Sequence, residues 1–314
     1  MKRFGKKVIV LAMAFLVVGG LLYLLGLMLG GRQVAFWADW GGQRPIAAES
    51  SEPFSDTVNF DPFQTLTIDV SFADIEFIQA ESYRVDLEWY GEAAQIHYDF
   101  DGAALHLWDD PEQYGMNQQP GSVKIYLPQG AAFTSVDAAT DSGSIKAGDL
   151  NAGLIRLNSE YGDIEARRLQ AGQMEILLEY GSFNGDGLQA DSLSYTNEYG
   201  DTQFRNCSFT WLEGKAESGN ILLTGCTLGS GTLEADYGDV EATSLASQGL
   251  DIDCESGNVD LSGTLGGRTL IKAGYGQVAV TTSLPQQQYD YDLYTEYGAL
   301  TINGEEVRGG MSRF

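Results

Sequence analysis

Three consecutive copies of one short motif decide the fold of this 314-residue chain: EYGDI at 160–164, EYGSF at 179–183 and EYGDT at 198–202. The pattern common to most copies is an acid, then Tyr or Ser, then Gly, then a small polar residue and an aliphatic residue. Further copies lie outward on both sides and begin at Asp141, Glu217, Asp236, Glu255, Gly274 and Glu296. Every spacing is 19 residues except the last, which is 22. A fixed period near 20 residues is typical of a stacked solenoid.

Each copy also carries the alternation of two β-strands. The residue that ends the motif and the residue two places later share one side, and polar residues such as Lys146 and Glu165 lie between them. A second alternating stretch gives Leu157, Ile176 and their equivalents an inward position. Period-two alternation is typical of strands with one buried face. We therefore predict an all-β fold, a parallel β-solenoid of about nine 19-residue coils, in which the motif glycine makes a sharp turn.

Residues 58–140 lack the period but still alternate like strands, with short turns between them. They form either an irregular opening of the same solenoid or a sandwich-like cap on the repeat region, 141–314. A solenoid needs its ends covered, because open β edges invite aggregation. We favour the continuous solenoid for this region.

The N-terminus predicts a single membrane anchor. Residues 1–7 are rich in Lys and Arg, and the apolar segment 8–30 follows. A 22-residue helix at ~1.5 Å per residue spans ~33 Å, enough for a bilayer core of ~30 Å. A cleaved signal peptide is the alternative, but its apolar region would be shorter and would end in a small-x-small site. The positive-inside rule then places the N-terminus in the cytoplasm and the rest outside, with 31–57 as a polar juxtamembrane linker.

The composition excludes several classes of function. The chain has 44 acidic and 18 basic residues, a net charge of −26, which argues against nucleic-acid binding. At 43% hydrophobic and 11% aromatic residues, it does not resemble a disordered acidic chain. G-x-S-x-G, H-E-x-x-H, C-x-x-C and P-loop motifs are absent. We predict a protein that is not an enzyme and has no required cofactor. A polysaccharide-active β-helix enzyme is the less favoured alternative, because the regular copies lack the inserted loops that build a cleft.

The leading acids of the copies should stack along one edge of the solenoid. Neighbouring carboxylates ~4.8 Å apart repel by about 0.9 kcal/mol even at the dielectric constant of water. Three interpretations stay open: the side chains splay into solvent, they accept hydrogen bonds from backbone N–H groups at the glycine turn, or they bind a divalent cation such as calcium. The column comprises Asp141, Glu160, Glu179, Glu198, Glu217, Asp236 and Glu255.

A tyrosine column stands beside the acids and is the candidate binding surface. Its rings either stabilise the coils by stacking or, with the carboxylates, bind carbohydrate. Other copies carry Ser at this position, as at Ser142, Ser218 and Ser256. The column comprises Tyr161, Tyr180, Tyr199, Tyr237, Tyr275 and Tyr297.

Two of the three cysteines, Cys207 and Cys226, are 19 residues apart. Equivalent positions on adjacent coils would bring their Cα atoms to ~4.8 Å, inside the disulfide window of ~4.4–6.8 Å. The alternative is a pair of small buried apolar side chains.

The segments LTIDVSFADIEFIQAESYRVDLEW at 66–89 and VKIYLPQG at 123–130, together with the basic start, the single span and the glycine repeats, resemble a bacterial putative-adhesin domain of unknown function. The resemblance covers about residues 60–303. It implies a β-solenoid ectodomain on the bacterial envelope, often associated with cell-envelope stress operons, and it supplies no catalytic residues. The copies here favour Glu-Tyr-Gly where the usual form is closer to Ser-Gly-Asp.

These observations together predict a membrane-anchored, extracellular adhesin or cell-envelope interaction module. We expect it to be a single-pass protein of the cell membrane. Its expected partners are the membrane, through the N-terminal helix, and cell-wall or surface glycans or an envelope protein. The alternative is a sensor or regulatory partner of another membrane protein.

Overall fold

The computed structural model describes residues 53–90, 96–109, 120–283, 290–306 and 312–313. The predicted anchor, 8–30, lies outside these residues. Among the residues described, no helix is long and apolar enough to cross a bilayer.

The predicted parallel β-solenoid is confirmed, with about 9 turns. Each regular coil contains one long strand of 11 residues and one short strand of 4 residues. The long strands are β8 Ala132–Ser142, β10 Asn151–Tyr161, β12 Gln170–Tyr180, β14 Gln189–Tyr199, β16 Ser208–Ser218 and β18 Thr227–Tyr237. The short strands are β9 Ile145–Gly148, β11 Ile164–Arg167, β13 Phe183–Asp186, β15 Thr202–Arg205 and β17 Ile221–Thr224.

The register is constant along the repeat. Long strands pair in parallel with long strands and short with short, so that Ile155 lies beside Met174 and Ile164 beside Phe183. In β19 Val240–Ser256 and β20 Val259–Tyr275 the short and long strands are fused into one strand of 17 residues. The last coil is formed by β21 Val278–Thr282, β22 Asp290–Tyr297 and β23 Leu300–Ile302, and two short antiparallel strands, β24 Glu305–Glu306 and β25 Ser312–Arg313, pair with it.

The N-terminal strands join the same solenoid. β2 pairs in parallel with β8, and β3 pairs in parallel with β9, so the coils continue below the repeat. Antiparallel pairs then close this end, since β4 lies between β1 and β7 and β5 pairs with β6. The strands are β1 Phe54–Asn59, β2 Thr65–Val70, β3 Ala73–Ala80, β4 Arg84–Trp89, β5 Ile96–Phe100, β6 Ala104–Asp109 and β7 Gly121–Pro128.

The inward columns form a dry interior, as the alternation predicts. Leu157, Ile176 and their equivalents are at most 2% exposed. At one position of an inward column, one coil has a large side chain and the next coil has a small residue. The Tyr195 ring fills the space beside Gly214, where an added Cβ would lie 2.1 Å from the ring. The same ring packs 5.2 Å from Phe204, so one oversized residue is accommodated by its small neighbour on the next coil.

Candidate interaction face at the glycine corner

The corner between each long strand and the following short strand is held by a column of glycines, which we call the glycine corner. A Cβ added to Gly181 would lie 2.1 Å from the carbonyl oxygen of Gly162, and one added to Gly200 would lie 2.1 Å from the carbonyl oxygen of Gly181. No side chain fits so close to backbone. The corner therefore needs glycine because successive coils touch there, and the positive φ of Gly181, 156°, adds a second reason.

Buried polar side chains inside the corner donate hydrogen bonds to the carbonyl oxygens of the glycines. Ser159 Oγ donates to the carbonyl of Gly143 at 3.0 Å, and Asn197 Nδ2 donates to the carbonyls of Gly181 and Gly200 at 3.1 and 3.0 Å. Both side chains are fully buried. A buried polar residue at this position is thus explained by the carbonyl that it pairs with.

The tyrosine column emerges on the outside of this corner as stacked rings. The Tyr161 and Tyr180 centroids are 5.1 Å apart with planes 2° from parallel, and those of Tyr180 and Tyr199 are 4.8 Å apart at 6°. Tyr275 and Tyr297 form a second stack at 5.1 Å and 8°. Within a stack the ring faces cover one another, so the edges and hydroxyl groups face solvent. Burial and the neighbouring tyrosines raise the pKa of Tyr180.

Serines interrupt the column on both sides of Tyr237. Ser218 pairs with Tyr199 on one coil and Tyr237 on the next, and Ser256 lies in the same way between Tyr237 and Tyr275. Among the described residues no aromatic ring stacks on Tyr237, and it is the most exposed of the six tyrosines, at 63%. The column therefore consists of two stacks and one isolated ring.

The acids of the predicted column lie beside the tyrosines, partly or fully exposed. Burial and the neighbours Asp141 and Glu179 raise the pKa of the Glu160 carboxyl, as expected for stacked like charges. Lys215 Nζ lies 3.9 Å from Glu217 Oε1. Among the described residues no group of three or more His, Cys, Asp or Glu side chains is arranged to hold a metal ion.

Side chains at the fourth position of the motif accept backbone hydrogen bonds from the next coil. Asp201 Oδ1 accepts the backbone N–H of Asn220 at 2.9 Å and its side-chain amide at 3.0 Å. Asn220 Oδ1 accepts the N–H of Asp239, and Asp239 Oδ1 accepts the N–H of Asn258, at 2.9 and 2.7 Å. We call this series the Asx ladder. The sequence showed a small polar residue here but no sign that its bonds run between coils.

The Asx ladder places a second row of carboxylates on the other side of the tyrosines. Asp163, Asp201 and Asp239 are exposed and recur on every second coil. The tyrosine column is thus bordered by acids on one side and by the Asx ladder on the other. The whole face carries a strongly negative potential with aromatic rings at its centre.

The two stacked cysteines lie inside the solenoid. Cys207 and Cys226 are both buried and are free thiols. Cys207 Sγ lies 3.2 Å from the carbonyl oxygen of Arg205. The hydrogen bond shared by the two thiols lowers the pKa of Cys226 to about 7 and raises the pKa of Cys207. Burial raises the pKa of Cys254 to about 11.

The opposite corner, between each short strand and the next long strand, has different chemistry. In six consecutive coils one residue at this corner takes a left-handed conformation with φ between 52° and 67°. These residues are Asp149, Arg168, Gly187, Asn206, Gly225 and Ser244. The repeat pattern gave no sign of this feature. Arg168 Nε donates to Asp149 Oδ1 at 2.6 Å. A shallow groove of about 400 Å³ runs beside them, lined mainly by amides and this ion pair.

The Toastrack DUF4097 family matches the chain over residues 63–224 and 210–306. No curated protein matches it.

Several solved structures are similar to this chain at low identity. A putative adhesin from Parabacteroides distasonis has 14% identity and a TM-score of 0.49, covering 81% of this chain and 97% of its own. A putative lipid binding protein from the same organism has 14% identity and a TM-score of 0.44, covering 82% and 96%. A putative adhesin from Bacteroides fragilis has 15% identity and a TM-score of 0.38, covering 81% and 97%.

Proposed function

The chain belongs to the Toastrack DUF4097 family, and from this premise we propose that it is a non-enzymatic adhesin-type interaction module of the cell envelope. The N-terminal span holds it in the cell membrane, with the solenoid outside. Its contact surface is the glycine corner, where the tyrosine column lies between two rows of carboxylates.

One observation carries the proposal: aromatic rings are exposed at the same corner of coil after coil. Tyr161, Tyr180 and Tyr199 are 54%, 44% and 45% exposed. Tyrosine is enriched at protein interfaces because it offers a large contact area at a low cost in conformational entropy. The rings are also pre-arranged by stacking, which reduces the ordering cost of binding.

The negative borders favour a basic envelope protein over a neutral glycan as the partner. Sugars usually pack on the faces of aromatic rings, and within the stacks those faces are covered. The hydroxyl groups and carboxylates that remain accessible suit Lys and Arg side chains. Binding to glycans of the cell wall is the competing outcome of the experiment.

The membrane location rests on the sequence alone. The basic residues of 1–7 and the apolar residues of 8–30 support a span with the N-terminus inside. Such an anchor would concentrate the interaction face at the membrane surface, where envelope partners are found.

The test measures binding of the full chain, purified in a non-ionic detergent, to isolated envelope material and to cell-wall polysaccharide. The variant Y161S/Y180S/Y199S replaces one stack by the serine that other coils use. We expect it to lose envelope binding while its melting temperature stays within a few degrees. The control is Trp211→Ser, which removes an exposed aromatic ring, 41% exposed, outside the glycine corner. Equal binding by wild type and the triple variant would overturn the proposal.

A further inference from the structure

The interruptions of the tyrosine column carry an inference that rests on the proposed function and specifies the partner. We propose that Ser218 and Ser256 each form a slot between two tyrosine rings, and that the two slots take arginine side chains of a partner protein. The first slot lies between Tyr199 and Tyr237, the second between Tyr237 and Tyr275.

The width of each slot fits one planar group. Consecutive stacked tyrosines are 4.8–5.1 Å apart, so rings separated by a serine coil lie about 10 Å apart, twice the strand spacing. A guanidinium group at the centre would be ~5 Å from both centroids, within the ~6 Å range of cation–π contact. Because serine is short, the facing sides of both rings are open, which is true nowhere inside the two stacks.

The charge around each slot selects a cation. Glu217 borders the first slot and Glu255 the second, and Asp236 lies between them on the same row. Asp201 and Asp239 stand on the other side of the column. Lys215 Nζ lies 3.9 Å from Glu217 Oε1, and Lys272 Nζ lies 3.6 Å from Asp253 Oδ2. The carboxylates named here outnumber these two ammonium groups, so the surface around the slots is net negative. A guanidinium combines a flat face for the rings with N–H donors for these carboxylates.

The distance between the slots predicts the spacing in the partner. Ser218 and Ser256 are two coils apart, so the slots are separated by about 9.6 Å. In a polyproline II segment residues i and i+3 lie on one side, ~9.3 Å apart. Arginines three residues apart on an extended, proline-containing segment would therefore enter both slots together.

A defined peptide tests the slots directly. The probe is a fluorescent Gly-Arg-Pro-Pro-Arg-Gly peptide, and its Kd for the detergent-purified full chain is measured by anisotropy at low salt. Replacing both arginines by citrulline keeps the planar shape and removes the charge. We expect the citrulline peptide to bind at least about tenfold more weakly, since each slot contributes two cation–π contacts and an ion pair.

Filling the slots gives the matched variants. S218Y/S256Y introduces the residue that the chain uses at the other coils and should complete a continuous stack. We expect arginine-peptide binding to fall at least about tenfold, with an equal or higher melting temperature. The control T224Y adds a tyrosine at an exposed position of β17, away from the tyrosine column, and should bind like wild type. All three proteins have the same net charge, so unspecific attraction of a basic peptide cannot account for a difference.

The outcomes separate this inference from the proposed function. Equal peptide binding by S218Y/S256Y and wild type, equal binding of the citrulline peptide, or slot-dependent binding of a cell-wall oligosaccharide instead of the peptide would overturn the arginine slots. If envelope binding persists in S218Y/S256Y, the slots fail while the proposed function stands. If the peptide binds through the slots but wild type does not bind envelopes, the function fails and the slots stand.

Discussion

The two corners of each coil reverse the chain under different constraints. At the glycine corner every one of the nine coils has glycine, because a Cβ would lie 1.7–2.1 Å from backbone of the coil before it. The opposite corner, between each short strand and the next long strand, is called the left-handed corner here because of its backbone conformation. Its residues vary from Gly187 and Asn206 to Arg168 and Ser244, although φ is similar in all of them. Contact with backbone thus admits one residue type, whereas a strained dihedral only adds a modest energy that other residues tolerate.

The substitution expected to have the largest effect on stability is Gly181→Ala at the glycine corner. Its Cβ would lie 2.1 Å from the Gly162 carbonyl oxygen, so the coils must separate, and we expect a loss of about 3–5 kcal/mol in the free energy of unfolding. Gly148→Ala is the control, because nothing lies within 4 Å of its added Cβ. Chemical denaturation of both variants measures the difference, and a similar small effect in both would refute the contact explanation.

The next effect concerns the Asx ladder, which ties the glycine corners together. Asn220→Ala removes a donor to Asp201 and the acceptor of the Asp239 N–H. We expect a loss of about 1–3 kcal/mol in the free energy of unfolding.

Asn220→Asp is the matched variant for the ladder, since it keeps the acceptor but places three carboxylates on consecutive coils. It should recover part of the stability, and more at low pH than at pH 7. If it were as destabilised as Asn220→Ala at every pH, the side chain would not act as an acceptor.

A smaller effect of opposite sign is expected at the left-handed corner. Ser244 has φ 55°, and Ser244→Gly should raise the free energy of unfolding by up to about 1 kcal/mol. Gly225→Ala, at φ 64° on the preceding coil, should lower it by a similar amount. Thermal melts of the two single variants provide the measurement. A destabilised Ser244→Gly would show that side-chain contacts, and not the dihedral, decide this corner.

The smallest effect is the penalty on the Glu160 carboxylate, which comes from its burial and from repulsion by the neighbouring acids of the column. The pKa of Glu160 is raised in the folded protein, so its carboxylate destabilises the fold at neutral pH and the penalty disappears as pH falls and the group protonates. Solvent screening keeps this contribution small. Glu160→Gln should therefore melt slightly above wild type at pH 7, and the gap should close on acidification. A gap independent of pH would contradict the assigned cause.

The 19-residue spacing predicted the solenoid because it recurs in side-chain type as well as in length. Alternation of polar and apolar residues predicted which residues face inward. The left-handed corner was not predictable in this way, because Asp149, Arg168, Gly187 and Ser244 share a backbone conformation and no side-chain property. The N-terminal coils were harder to define, because antiparallel strands such as β4 interrupt the parallel series.

The candidate site was predicted only as two columns. The positions of Tyr180 and Glu160 followed from the period, but the direction of the rings did not. The role of Asp201 and Asn220 was missed because the partner of each side chain is 19 residues away. Alternation of Asp with Asn in that ladder avoids neighbouring like charges, a pattern visible in the sequence only once the bonds are known.

The constant register has a consequence for how such a protein changes length. Each coil offers the same glycine contact, the same ladder donors and the same inward positions to the next, so an in-frame duplication or loss of one whole coil leaves every remaining joint intact. The length of the solenoid is therefore adjustable in steps of one strand spacing, ~4.8 Å. The order of Tyr and Ser along the corner would then act as a pattern that duplication can lengthen or rearrange without disturbing the fold.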